Sequence, residues 1–183
     1  MVINMLTIKI NEDEFWDEDR NIFIPIHATE FHFEHSLLAI SKWEEKWQIP
    51  YLDDTTPKTK AQEDDYLRCM CSEEISDEHL LVLNGYHGDE LKNYIKNKMT
   101  ATWFDDSNTR HKKSIVTNEI VYYWMFSNGI PKECETWNFN KLMTLIRVFS
   151  EKNGPEKKMS MKDRYAYQKS LNAARRAKSG SRG

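Results

Sequence analysis

The hydrophobic period of this chain changes once, near residue 34, and that change limits the fold more than any other feature. In Leu6–Ile10 apolar and polar side chains alternate, so Leu6, Ile8 and Ile10 share one face of a strand. Ile22–Ile26 reads as a second strand. Its Pro25 cannot donate to a ladder, which places the segment at an edge or ends it there. Thr29–Phe33 reads as a third. Between the first two lies an acidic stretch, Asn11–Arg20, read as an interruption that contains Phe15 and Trp16.

From residue 34 the spacing is helical. Leu37, Ile40, Trp43 and Trp47 form one apolar stripe, and Pro50 ends that helix. Asp53–Lys58 reads as a loop. Thr59 and Gln62 have capping-box spacing and open a helix carrying Tyr66, Leu67 and Met70. Short helices are expected near Ser76–Leu83 and Asp89–Lys98, separated by Asn84-Gly85 and Gly88. Asp105–Lys113 is polar and reads as a loop. Ile115–Ser127 and Thr136–Lys152 are the most apolar helical segments. Joined through Gly129 and Pro131, they predict an antiparallel hairpin with a core of Ile120, Tyr123, Trp124, Trp137, Leu142 and Leu145. Asn153-Gly154-Pro155 stops the pattern. Ser160 and Asp163 then signal a last helix running to about Lys178 and fraying beyond Ser179. The expected class is α+β, mainly α: a small N-terminal antiparallel sheet or hairpin, a helical bundle, and a C-terminal basic helix. The expected division is a compact domain over 1–153 and an arm over 154–183, within a length of 183 residues.

Charge divides at the same place. The net charge is -3, yet residues 151–183 hold six Lys and four Arg against three acids, a surplus of seven. The first 150 residues carry 16 bases and 26 acids and are net -10. A basic arm of this kind contacts an acidic protein surface or a polyanion. Arg164, Arg175 and Arg176, with Tyr165 and Tyr167 between them, are its candidate contact residues. Nucleic acid is the weaker reading, because the chain as a whole is acidic.

Other function classes find little support. No run approaches 18 apolar residues, so no membrane span is expected. The start, MVINMLTIKINEDEF, lacks the basic flank of a signal peptide. Three cysteines, Cys69, Cys71 and Cys134, suggest reduced thiols packed as small hydrophobes. Cys134 stands between Glu133 and Glu135, which disfavours a thiolate. The densest ligand-like cluster is His27, Glu30, His32, Glu34 and His35. It lacks a His-Glu-x-x-His pattern and straddles a strand-to-helix junction, where polar caps are expected. There is no Gly-x-Ser-x-Gly elbow and no Gly-rich phosphate loop. Adjacent acid pairs such as Asp64-Asp65 diverge on a helix. The expectation is a protein without catalytic residues, metal or cofactor.

Several strings resemble a family of tailed-bacteriophage virion-module proteins, some labelled tail assembly chaperones. These are EHSLLAISKWE at Glu34–Glu44, MTATWF at Met99–Phe104, EIVYYWM at Glu119–Met125, WNFNKLMTLIR at Trp137–Arg147 and the ending LNAARR at Leu171–Arg176. The likeness runs in order from about residue 30 to the C-terminus. Similar sequences carry Trp-His where this chain has Trp137-Asn138, so no imidazole stands at that position. The resemblance implies a non-enzymatic assembly factor in the host cytoplasm that binds the helical, aggregation-prone tape-measure protein. The alternatives are a structural subunit retained in the virion, as a tail or connector component, or a DNA-associated factor acting through the arm. Self-association is compatible with each. Trp is enriched at binding hot spots, so Trp103, Trp124 and Trp137 join the three arginines as candidate partner contacts. Trp103, next to a loop, is expected to be partly exposed; the other two default to the core.

Overall fold

The computed structural model describes residues 5–18, 21–53, 55–104, 115–153 and 161–180. The expected loop at Asp105–Lys113, the stop at Gly154-Pro155, the cap at Ser160 and the basic pair Lys157-Lys158 lie outside these residues. The chain divides into two compact units, Met1–Phe149 and Ser150–Gly183. The class is α+β and mainly α, as the change of period predicts.

Four strands open the first unit: β1 (Leu6–Ile10), β2 (Asp13–Asp17), β3 (Ile22–Ile26) and β4 (Thr29–Phe33). They pair as two antiparallel ribbons, β1 with β4 and β2 with β3. The β2–β3 hairpin is therefore inserted between two strands that pair with each other. Ile8 and Phe31 face one another across β1–β4 and are almost fully buried. Strand β2 is a correction to the sequence reading. Its run DEFWD has no apolar alternation to announce it; its order comes from pairing with β3, where Trp16 opposes Phe23 and Phe15 opposes Ile24. Pro25 lies opposite Glu14 in a two-stranded ribbon, so its missing N–H sits on an edge strand. Asn21, at the turn end of the hairpin, takes φ of 55°, a conformation Asn tolerates through its short polar side chain.

Six helices follow in order: α1 (Leu37–Trp47), α2 (Lys60–Met70), α3 (Asp77–Tyr86), α4 (Gly88–Lys96), α5 (Asn118–Ser127) and α6 (Phe139–Asn153), with a 3-10 turn at Lys132–Thr136 before α6. Helix α1 organises the unit. Its stripe of Leu37, Ile40 and Trp43 is fully buried, and α2, α5 and the 3-10 turn pack on it. Ser36 caps it by accepting from the Ala39 amide at 3.2 Å. The capping box of α2 is complete: the Gln62 amide donates to Thr59 Oγ1 and the Thr59 amide to Gln62 Oε1. Asn84-Gly85 does not separate α3 from α4. Both residues continue α3, and the break falls at His87.

The expected α5–α6 hairpin is not the main packing unit, since α5 lies chiefly on α1. Its buried residues also differ from the expected set. Leu142 is fully buried, but Tyr123 is 67% exposed, and Ile120, Trp124, Trp137 and Leu145 are half-buried. The core positions are Val121, Met125, Phe139, Leu142 and Ile146. Helix α7 (Met161–Ser179) belongs to the second unit. Met161, Tyr165 and Tyr167 on it are exposed, and Leu171 is half-buried.

Candidate functional site

The junction between β4 and α1 turns two ionisable groups inward. The Glu34 amide donates to the Met70 carbonyl at 2.9 Å. Its carboxylate accepts from the Tyr94 hydroxyl at 2.9 Å and from Asn138 Nδ2 at 3.4 Å. Burial raises the Glu34 pKa, against the opposing pull of those two donors. His35 Nδ1 lies 2.5 Å from the Tyr66 hydroxyl, and the His35 carbonyl accepts from the Phe139 amide at 2.6 Å. Burial lowers the His35 pKa to about 4 and pushes the Tyr66 phenol well above its ordinary value. A neutral imidazole bound to a neutral phenol, both enclosed, positions structure rather than moving protons.

A second internal carboxylate, Glu44 on α1, accepts from the Tyr51 amide at 2.7 Å and from the backbone and side chain of Asn118 at 2.8 and 2.6 Å. Thr117 makes no side-chain cap on α5, so Glu44 meets the free amide at the start of that helix and places negative charge at its positive end. Among the described residues no buried side-chain nitrogen or oxygen lacks a partner.

The histidine cluster is taken apart by the fold. His27 is exposed, and its carbonyl accepts from His79. His32 is held by Glu73, with Nδ1 and the backbone amide at 2.9 and 2.8 Å from the two carboxylate oxygens. His35 faces Tyr66. Among the described residues no group of three or more His, Cys, Asp or Glu is placed to hold a metal ion. The three thiols are all shifted upward, with burial the largest cause in each; Cys71 reaches about 11. For Cys134 the Glu133 charge is the smaller contribution, so burial does most of what the sequence assigns to neighbouring acids.

Tyr66 also lines a cavity of about 420 Å³. Tyr51 and Tyr66 stack at 3.9 Å between centroids, and Leu67, Leu91 and Ile95 supply apolar wall. Lys58, Lys60 and Lys92 line it with one carboxylate, Glu63. Lys58 Nζ stands 4.8 Å over the Tyr51 ring, and Lys60 Nζ is 2.7 Å from Asp64. Its contents suit an apolar side chain with carboxylates beside it, and its size falls within the ordinary range for ligand sites, roughly 300–1,000 Å³. Another cavity, of about 500 Å³, is lined by Glu44, Glu45 and Glu119, and the buried member of those three is already occupied by its donors.

The six candidate contact residues fall in different places. Trp103 is 79% exposed, with Lys98 Nζ 4.1 Å over its ring. Trp137 is half-buried under Lys141, at 4.9 Å, and Trp124 is half-buried against the core. Beside Trp103, Phe104 carries the Arg147 guanidinium at 4.0 Å. Arg164, Arg175 and Arg176 are exposed on α7. None of the six lines the cavity. None of Tyr51, Lys58, Lys60, Tyr66 and Lys92 is among the contact residues expected from the sequence, which places Tyr66 only as an apolar position of its helix. Their only sequence signals were local: Tyr51 follows the helix-stopping Pro50, Lys58 and Lys60 flank the capping Thr59, and Leu91 and Ile95 share a helix face.

No family model, curated protein or solved structure matches this chain. Among the described residues no helix is long and apolar enough to cross a membrane.

Proposed function

We propose that this chain is a non-enzymatic bacteriophage assembly factor, a tail assembly chaperone that holds the tape-measure protein in the host cytoplasm until the tail tube forms around it. The observation that carries the reading is the cavity over Tyr51 and Tyr66. Apolar walls with Lys58, Lys60 and Lys92 around them suit the apolar anchor of an amphipathic helix whose flanking positions are acidic. The resembling strings support it from another side. Three residues of the first string, Glu34, His35 and Glu44, are turned inward and hold other elements of the fold in place, which is the part of a framework. The cations over Trp103, Phe104 and Trp137 give a second surface of the same character, each pair contributing about 0.5–1 kcal/mol where exposed.

Co-expression with the tape-measure protein tests the reading. A soluble complex should be recovered, and K58E/K92E should lose it while keeping the native circular dichroism spectrum. If the tape-measure protein stays insoluble and no complex forms, the reading fails. Mass spectrometry of purified particles separates the chaperone from a structural subunit, which would be present in fixed stoichiometry.

A further inference from the structure

We infer that this protein self-associates head to tail, the β2–β3 hairpin of one copy seating its outer aromatic pair in the lysine-lined cavity of the next. The inference does not rest on the tape-measure reading. Two features of the first unit carry it, and they are complementary.

The first is the hairpin. Trp16 and Phe23 oppose each other across the strands, with ring centroids at 4.8 Å, and they are 41% and 63% exposed. Side chains alternate along each strand, so Glu14 and Pro25 share their face. Phe15 and Ile24, on the opposite face, pack against the core. Glu12, Glu14 and Glu18, of the same parity as Trp16, are all exposed. A two-stranded ribbon is marginal alone, and clustered exposed aromatics mark an interaction surface. This one is apolar in the middle and negative at the edge.

The second is the cavity over Tyr51 and Tyr66. It is apolar and aromatic within; Lys60 is already paired with Asp64, so two ammonium groups at its wall, Lys58 and Lys92, stand against the carboxylate of Glu63. Its volume of about 420 Å³ is on the scale of one or two aromatic side chains, too small for a whole helix.

The two features cannot meet within one copy. Val82 and Tyr86 of α3 line the space beside the hairpin together with Phe15 and Ile26, whereas Asn84 of the same helix lines the cavity. Helix α3 therefore stands between them. A surface that fits a different surface on a second copy is heterologous, so copies add in one direction, as a ring or an open chain. A partner helix that needs the cavity then competes with the hairpin of a neighbour.

Sedimentation velocity over a concentration series decides it, using the full chain alone. The average mass should rise with concentration and fall back with added salt, because opposite charges steer and hold the contact. The hairpin variant E14K/E18K and the cavity variant K58E/K92E should each associate about tenfold or more weakly, since like charges then oppose each other. Mixing the two variants should restore association, because each pairs its reversed surface with the reversed surface of the other. A wild type that stays monomeric throughout overturns the inference. So do reversals that leave association unchanged, or a mixture that does not recover it. A self-associating protein that fails to bind the tape-measure protein would leave this inference standing and remove only the proposed function.

Discussion

Single side chains decide where this fold tolerates charge. His35 is the clearest case. Its pKa falls from an ordinary 6.5 to about 4 because burial penalises the imidazolium. Between those values the unfolded chain holds the proton and the folded one does not, so stability rises with pH across that window and is complete above 6.5. The shift corresponds to about 3 kcal/mol lost as pH falls from 6.5 to 4, at roughly 1.4 kcal/mol per unit. Glu34 works in the opposite sense, since its raised pKa makes its protonation on acidification favour the folded state. Comparison with His35→Gln isolates the histidine: urea midpoints of the wild type should drop more steeply over pH 6.5 to 4 than those of the variant. Equal slopes would mean that His35 is not enclosed as described. Glu44 is the second case. Glu44→Ala leaves three donors, one from Tyr51 and two from Asn118, without their acceptor. The expected cost is about 3 kcal/mol by urea denaturation, with a smaller loss for Glu44→Gln, which keeps one carbonyl oxygen. Neither role was legible beforehand. The sequence shows Glu34 and His35 as part of a ligand-like cluster at a strand-to-helix junction, where polar caps are expected, but not Tyr94, Asn138 or Tyr66 arriving from 60, 104 and 31 residues away.

Helices announced themselves where their signals are local. The Thr59 capping box and the Leu37–Ile40–Trp43 stripe depend on residues within one or two turns, and the helices they define begin as expected. Thr59→Ala, on the solvent side of α2, should cost about 1 kcal/mol, measured by denaturation, because it opens the capping box. Elements with a remote cause were missed. Strand β2 exists through its partner β3, and α5 starts at Asn118, not Ile115, where a carboxylate 74 residues earlier accepts from its first backbone amide. The apolar run YYWMF in α5 marked a helix correctly but not its buried face. With few polar residues to break the symmetry, only the packing on α1 selects Val121 and Met125 over Tyr123. The cavity is the same kind of case: its walls come from a loop and three helices, and no window of sequence contains them together.

Across the whole molecule the deciding quantity is the distribution of charge. The first 150 residues are net -10 and the last 33 net +7, which sets a protein partner against a nucleic-acid partner for the arm. Helix α7 carries Lys162, Arg164, Lys169, Arg175, Arg176 and Lys178. If all six engaged phosphates of duplex DNA, binding would fall with a logarithmic slope of about -5 in salt, or roughly a thousandfold between 50 and 200 mM. A chain of net charge -3 has no other cationic excess to offset that loss. Fluorescence anisotropy with a DNA duplex should therefore show at most weak binding at 50 mM salt and none at 200 mM. Binding to a protein partner through the cavity, which combines apolar burial with charge, should weaken far less over the same range, because only its charged part is screened and burial of Leu- and Tyr-lined surface does not weaken with moderate salt. Tight DNA binding that survives 200 mM would reverse the order of the two readings and make the arm, not the cavity, the working surface of the protein.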